Sequence, residues 1–68
     1  MAMTRDYKLA VAARYNRWMH EGRVARWSAA GAVGVPEDRL EALVRCKAVP
    51  TEKEARDMIA LCGEPPPL

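Results

Sequence analysis

The chain has 68 residues, a net charge of +2 and a hydrophobic content of 50%. This length allows one small domain, and twelve of the hydrophobic residues are alanine, so we expect a thin core that a homodimer would supplement. No apolar run approaches the ~18 residues of a membrane-spanning helix and no signal-peptide pattern is present, which predicts a cytoplasmic protein with reduced thiols and no membrane partner.

The first predicted helix begins after Thr4 and ends at Gly22. Thr4 is a typical N-cap residue, and Asp6 lies in the first turn, where negative charge complements the helix dipole. Gly22 is expected at the C′ position that follows a helix. Apolar residues recur at i, i+4, i+8 and i+11 and predict the buried face, which consists of Tyr7, Val11, Tyr15 and Trp18.

Two short helices are predicted next. The second covers residues 23–33 and ends at Gly34, which suits a turn with positive φ. The third runs from Pro36 to about residue 47, because proline is tolerated at the first helical position. Glu37 and Asp38 follow it, and their charges favour the start of a helix.

The fourth helix has the clearest boundaries. Thr51 with Glu54 three residues later is the capping-box pattern, and Gly63 ends the helix. No segment alternates apolar and polar residues as a strand would. The sequence therefore predicts an all-α domain of four helices over residues 1–63, followed by an extended, proline-rich tail over residues 64–68.

Charge is distributed unevenly along the chain. Residues 1–27 carry six cations against two acids, whereas residues 28–68 carry five cations against seven acids. This division is consistent with phosphate contacts from the first half or with charge-complementary docking. It is equally consistent with charged side chains that only solvate the outer faces of helices.

Residues 26–45 contain a small residue, Ala30, four positions before a glycine, and then three apolar residues, which are Val35, Leu40 and Leu43. This segment resembles the helix-turn-helix of the phage Cro and repressor family, with Ala30 at its small position, Gly34 as its turn glycine and Val35 as its turn hydrophobe. Leu40 and Leu43 match the buried positions of the second helix of that motif. The similarity continues through "KAVPT" and "MIALCG" to residue 63. It implies a lambda repressor-like domain with the helix-turn-helix at about residues 26–46, a DNA-binding role and a dimer.

Several residues depart from the family pattern. Pro36 replaces a polar residue, Cys46 replaces the glycine that commonly follows the recognition helix, and Ala29 and Val33 differ in size or branching. The outward face of the third helix is the largest departure because it contains three acids; it comprises Glu37, Asp38, Glu41, Ala42 and Arg45. Such acids oppose binding to a polyanion.

Each acid also has an interpretation without DNA. Glu37 and Asp38 would stabilise the helix start by about 0.3–1 kcal/mol each. Glu41 would pair with Arg45 at i, i+4, or one carboxylate could accept a hydrogen bond from cytosine N4. The Glu41 pairing would leave Arg39 and Lys47 as the free cations of this segment.

The candidate binding residues follow from these considerations. Arg23 and Arg26, at the start of the second helix, would contact phosphates together with Arg45 and Lys47. An interface with a second copy or another partner is predicted around Tyr15, Trp18, Met19 and Trp27, because Trp, Tyr and Arg are frequent in binding hot spots. The alternative is that the two tryptophans complete the core.

No pattern of catalytic or metal-ligating residues is present. His20 is the single histidine, and Cys46 and Cys62 lack the spacing of a zinc site. We predict a protein that is not an enzyme, with no catalytic residues, cofactor or metal, and with both cysteines acting as small apolar residues.

Two functions remain open on the sequence. The first is a small phage-type regulator that binds double-stranded DNA as a dimer. The second is a phage-encoded inhibitor that keeps a helix-turn-helix-like scaffold and binds a host regulator, a pilus motor or a defence complex through its acidic face.

Overall fold

Four α-helices account for most of residues 2–66, the part of the chain that the computed structural model describes. They are α1 (Arg5–Glu21), α2 (Arg26–Ala32), α3 (Glu37–Val44) and α4 (Glu52–Cys62). No strand occurs within residues 2–66. The prediction of an all-α, four-helix chain is confirmed.

The longest helix, α1, packs against both α4 and α3. Thr4 is its N-cap as predicted, because its Oγ1 accepts a hydrogen bond from the backbone N–H of Tyr7 at 3.1 Å. Within the predicted stripe, Val11 and Tyr15 are fully buried, whereas Tyr7 and Trp18 are half-buried. The periodicity therefore identified the core-facing side of α1 correctly.

The turn between α2 and α3 is a Schellman motif centred on Gly34. The backbone N–H of Val35 donates to the carbonyl of Ala30 at 3.0 Å, and that of Gly34 donates to Gly31 at 3.2 Å. Gly34 has a φ of 69°, the left-handed region that residues with a Cβ rarely adopt. The prediction that the chain bends at Gly34 is confirmed.

The end of α1 has the same motif, shifted by one residue from the prediction. Gly22 is the C-cap with a φ of −86°, and the left-handed residue is Arg23, with a φ of 51°. The N–H of Val24 then donates to the carbonyl of Met19 at 2.9 Å. This turn occupies residues 22–25, so α2 begins at Arg26 instead of residue 23 as predicted.

The third helix also differs from its predicted bounds. Pro36 is the N-cap of α3 and not its first helical residue, and the helix ends at Val44 instead of near residue 47. A third Schellman motif follows, in which the N–H of Lys47 donates to the carbonyl of Ala42 at 2.9 Å. Cys46 takes the left-handed position with a φ of 60°, although its side chain has a Cβ.

The fourth helix begins with the predicted capping box. Thr51 Oγ1 accepts from the N–H of Glu54 at 3.1 Å, and Glu54 Oε1 accepts from the N–H of Thr51 at 2.8 Å. Gly63, with a φ of 84°, ends the helix. Residues 64–66 of the predicted tail have no regular secondary structure, and Pro67 and Leu68 lie outside the described residues.

The core lies where α1, α3 and α4 meet, with α2 packed on α3. It contains one polar link, in which the hydroxyl of Tyr15 donates to the carbonyl of Ala29 at 2.7 Å. That carbonyl is free because the N–H of Val33 donates to Ala30 instead. Burial raises the pKa of the Tyr15 phenol, and nearby Cys62 adds to the rise. The fully buried hydrophobic side chains are Val11, Ala12, Tyr15, Ala29, Leu40, Leu43, Ala55 and Met58.

The two cysteines have different environments. Cys62 is buried, as predicted for a small apolar residue, and burial raises the pKa of its thiol. Cys46 is exposed, so its predicted apolar role is wrong. Its position is fixed by the end of α3, where the backbone needs the left-handed conformation and the side chain is directed to solvent.

Candidate functional site

The helix pair α2–α3 presents one buried side and one open side. The buried side is formed by four residues that are each at most 4% exposed: Ala30 of α2, its C-cap Val33, and Leu40 and Leu43 of α3. These residues form part of one core cluster, and a four-residue connection, residues 33–36, joins the helices. The opposite side of α3 is therefore available to a partner.

The first two residues of α3 point into solvent. Glu37 and Asp38 are exposed, and Asp38 Oδ1 accepts a hydrogen bond from the backbone N–H of Arg39 at 2.9 Å. The N-cap, Pro36, provides no side-chain acceptor. The two carboxylates thus supply the negative charge that favours a helix N-terminus, which supports the interpretation that they stabilise α3.

Glu41 forms ion pairs with two arginines at once. Its Oε1 lies 2.9 Å from Nη2 of Arg45, and its Oε2 lies 3.2 Å from Nη1 of Arg26. The pair with Arg45 confirms the i, i+4 prediction. The pair with Arg26, fifteen residues away, was not predicted, because only the packing of α2 on α3 brings the two side chains together. We refer to Arg26, Glu41 and Arg45 as the Glu41 ion-pair cluster.

Arg39 is not the free cation that the sequence suggested. Its Nη2 and Nε donate to the two carboxylate oxygens of Glu54 at 3.0 and 3.3 Å, which links α3 to the start of α4. The hydrogen bond to Glu54 raises the pKa of the guanidinium. Burial acts to raise the pKa of Glu54, but hydrogen bonds from Arg39 and Thr51 outweigh it and hold that pKa below its ordinary value.

A cleft of about 240 Å³ opens beside the Glu41 ion-pair cluster, between α1, α2 and α3. Leu40 and Met19 are its buried apolar lining. Asn16 and His20 of α1 contribute polar groups to its edge. These two residues were not predicted to belong to a site, because α1 was expected to contribute to the core and to an interface.

The remaining predicted binding residues lie in α3 and in the turns that follow α1 and α3. Arg23 and Lys47 are exposed and occupy the turns that follow α1 and α3, and Ala42 is half-buried on α3. With Arg26 and Arg45, they provide four cations against the three acids of α3. Lys47 forms no ion pair with another residue in the range 2–66.

The predicted aromatic interface is not a single surface. Tyr15 is fully buried and has no surface to offer a partner, whereas Met19 is 9% exposed and contributes only to the lining of the cleft. Trp18 is half-buried and stacks on Tyr15, with ring centroids 5.2 Å apart. Trp27 is 70% exposed, so the alternative that it completes the core is also wrong. Of these four residues, Trp27 is the one that is mostly exposed.

A metal centre and a membrane-spanning helix are two further features that residues 2–66 could contain. No group of three or more metal-ligating side chains is found there. None of the helices in this range combines the length and the apolar character needed to cross a bilayer. No protein-family model, curated protein or solved structure gives a significant match to the chain.

Proposed function

We propose that the chain is a small DNA-binding transcriptional regulator of the helix-turn-helix type, similar to the phage Cro and repressor proteins. One observation carries the proposal: a seven-residue helix and an eight-residue helix are joined by a turn at Gly34, with a buried seam and an exposed outer face on the second helix. This arrangement would let α3 enter the major groove while the start of α2 lies near the DNA backbone.

The ion pairs of α3 make its outward face less unfavourable for DNA than the count of three acids in the sequence suggested. Glu41 is neutralised by Arg26 and Arg45, so Glu37 and Asp38 are the uncompensated acids of the outward face. A carboxylate in the major groove can accept a hydrogen bond from cytosine N4. Arg23, Arg26 and Lys47 would supply the phosphate contacts that hold the protein in register.

Titration of a fluorescent duplex by anisotropy at several salt concentrations tests the proposal. Lys47→Ala should weaken binding and reduce the magnitude of the salt slope by about 0.9, the value of one phosphate contact. Lys53→Ala is the matched control, because Lys53 is an exposed lysine of α4 that pairs with Asp57 at 3.0 Å. No binding by the wild-type protein at low salt, even to mixed-sequence DNA, would reject the proposal.

A homodimer is part of the same proposal. Regulators of this kind read two half-sites one helical turn of DNA apart, so two copies of α3 would be needed. Within residues 2–66 the large hydrophobic side chains that are well exposed are Trp27 on α2 and Leu61 on α4. Sedimentation equilibrium with and without duplex measures the oligomeric state, and a monomer on DNA would contradict this part.

A second candidate is a protein-binding inhibitor of a host regulator, a pilus motor or a defence complex. The exposed indole of Trp27 and the open carboxylates of Glu37 and Asp38 favour it, because aromatic side chains and charge complementarity are typical of protein interfaces. Changing Glu37, Asp38 and Glu41 together to alanine separates the two candidates. DNA affinity should rise in the first case, and capture of the partner should fall in the second.

A further inference from the structure

We infer that Glu41 acts as an internal counter-anion that holds Arg26 and Arg45 in a phosphate-binding arrangement and competes with phosphate for them. The inference rests on the proposed function and names a residue that sets the strength of its phosphate contacts. Its basis is the geometry of the Glu41 ion-pair cluster and the cleft beside it, and not the presence of arginines alone.

The carboxylate of Glu41 occupies the place that a bound anion would take. Each of its two oxygens faces one guanidinium, at 2.9 Å from Arg45 and 3.2 Å from Arg26. Guanidinium groups bind carboxylate and phosphate through the same planar pattern of N–H donors. A phosphate oxygen can therefore replace a carboxylate oxygen with little change in the position of either arginine.

The exposure of the three side chains permits this exchange. Those of Arg26 and Arg45 are 56% and 61% exposed, whereas that of Glu41 is 36% exposed. The arginines are thus accessible from solvent, and exposed ion pairs of this kind are weak and sensitive to salt. The adjacent cleft gives the side chain of Glu41 room to move when the arginines turn to a phosphate.

The competition has a consequence for affinity. An anion that binds the two arginines must first displace Glu41, so every contact of these arginines with phosphate is weakened. The cost is the same for a duplex that also forms base contacts with α3 and for random DNA, so both affinities fall by the same factor. Glu41 therefore raises the protein concentration at which random DNA is bound, and base contacts are needed for binding below that concentration.

The test uses Glu41→Gln, which keeps the shape of the side chain and removes its charge. Glu52→Gln is the matched control, since Glu52 forms an i, i+4 pair with Arg56 at 3.0 Å and its side chain is 37% exposed. The probes are pyrophosphate and a mixed-sequence duplex. Pyrophosphate binding is followed by NMR through the Nε–H signals of Arg26 and Arg45, in the wild-type protein as well as in the variants.

We expect Glu41→Gln to bind pyrophosphate and the mixed-sequence duplex more tightly than wild type, by roughly 2- to 30-fold, the effect of freeing two exposed ion pairs. The Nε–H signals of both arginines should shift together on titration. Glu52→Gln should behave like wild type. In the wild-type protein, pyrophosphate should shift the same two signals at a higher concentration. This measurement does not depend on whether a variant folds.

Other results overturn the inference or separate it from the proposed function. Equal pyrophosphate affinity in wild type and Glu41→Gln would overturn it, and so would an equal gain in Glu52→Gln, which would indicate a general effect of charge. Tight pyrophosphate binding by Glu41→Gln without any duplex binding would uphold the competition at Glu41 and reject DNA binding. If the wild-type protein binds the duplex and Glu41→Gln binds it with the same affinity, DNA binding would be upheld and the competition at Glu41 rejected.

Discussion

Replacing Cys46 by glycine tests whether backbone conformation fixes the end of α3. Cys46 has a φ of 60° at the C′ position and an exposed side chain, so the change removes no buried contact. A residue with a Cβ is less stable than glycine in the left-handed region by about 1–2 kcal/mol. The greater freedom of glycine in the unfolded chain offsets about 0.4–1 kcal/mol of that difference. The middle values of these two ranges leave a net gain, so we expect Cys46→Gly to raise the free energy of unfolding by about 0.5–1 kcal/mol.

Thermal unfolding followed by far-UV circular dichroism under reducing conditions measures the change. For a domain of this size, the gain corresponds to an increase in Tm of roughly 2–8 °C. Cys46→Ala is the control, because alanine also lacks the thiol but keeps the Cβ, and its Tm should match wild type. A lower Tm for Cys46→Gly would refute the left-handed assignment. An equal rise for both variants would attribute the effect to loss of the thiol.

Three further changes test the packing and the polar links. Tyr15→Phe leaves the buried carbonyl of Ala29 without its donor and should cost about 1–3 kcal/mol in urea unfolding; an unchanged midpoint would show that this bond is dispensable. Leu43→Ala should cost about 2–5 kcal/mol, comparable to the whole stability of a core this small, and its circular dichroism spectrum should show a largely unfolded chain at room temperature. Burial acts to raise the pKa of Glu54, but hydrogen bonding to Arg39 holds the folded pKa below 4.5. The ionised carboxylate therefore stabilises the fold above the unfolded pKa, and this stabilisation is lost as the pH falls through the folded pKa. The difference in unfolding free energy between wild type and Glu54→Gln should therefore be constant near neutral pH and shrink below pH 4.5; a difference that grows in acid would contradict this assignment.

Much of the backbone could be predicted because its signals are local. Thr4 and the Thr51–Glu54 capping box start helices through contacts three residues away in sequence, and these contacts are present. Gly34 marks a left-handed turn that residues with a Cβ avoid. The left-handed conformation of Arg23 was not predicted, because the neighbouring Gly22 was the more obvious candidate for it.

The site was predicted less well because its contacts are distant in sequence. Arg26 reaches Glu41, and Arg39 reaches Glu54, across fifteen residues in each case, so neither follows a helical spacing. The exposure of Trp27 could not be predicted for a different reason, the short length of its helix. α2 has only seven residues, too few for a periodic pattern to show which side of the helix the indole would occupy.

Glu54 couples two parts of the chain that could otherwise open separately. Its Oε1 accepts from the N–H of Thr51 at 2.8 Å and from Nη2 of Arg39 at 3.0 Å, so fraying of the first turn of α4 also disturbs the support of α3. Helix ends normally open at little cost and independently of the elements around them. In this chain the amide hydrogens at the start of α4 and those of α3 should exchange with solvent as a single cooperative unit.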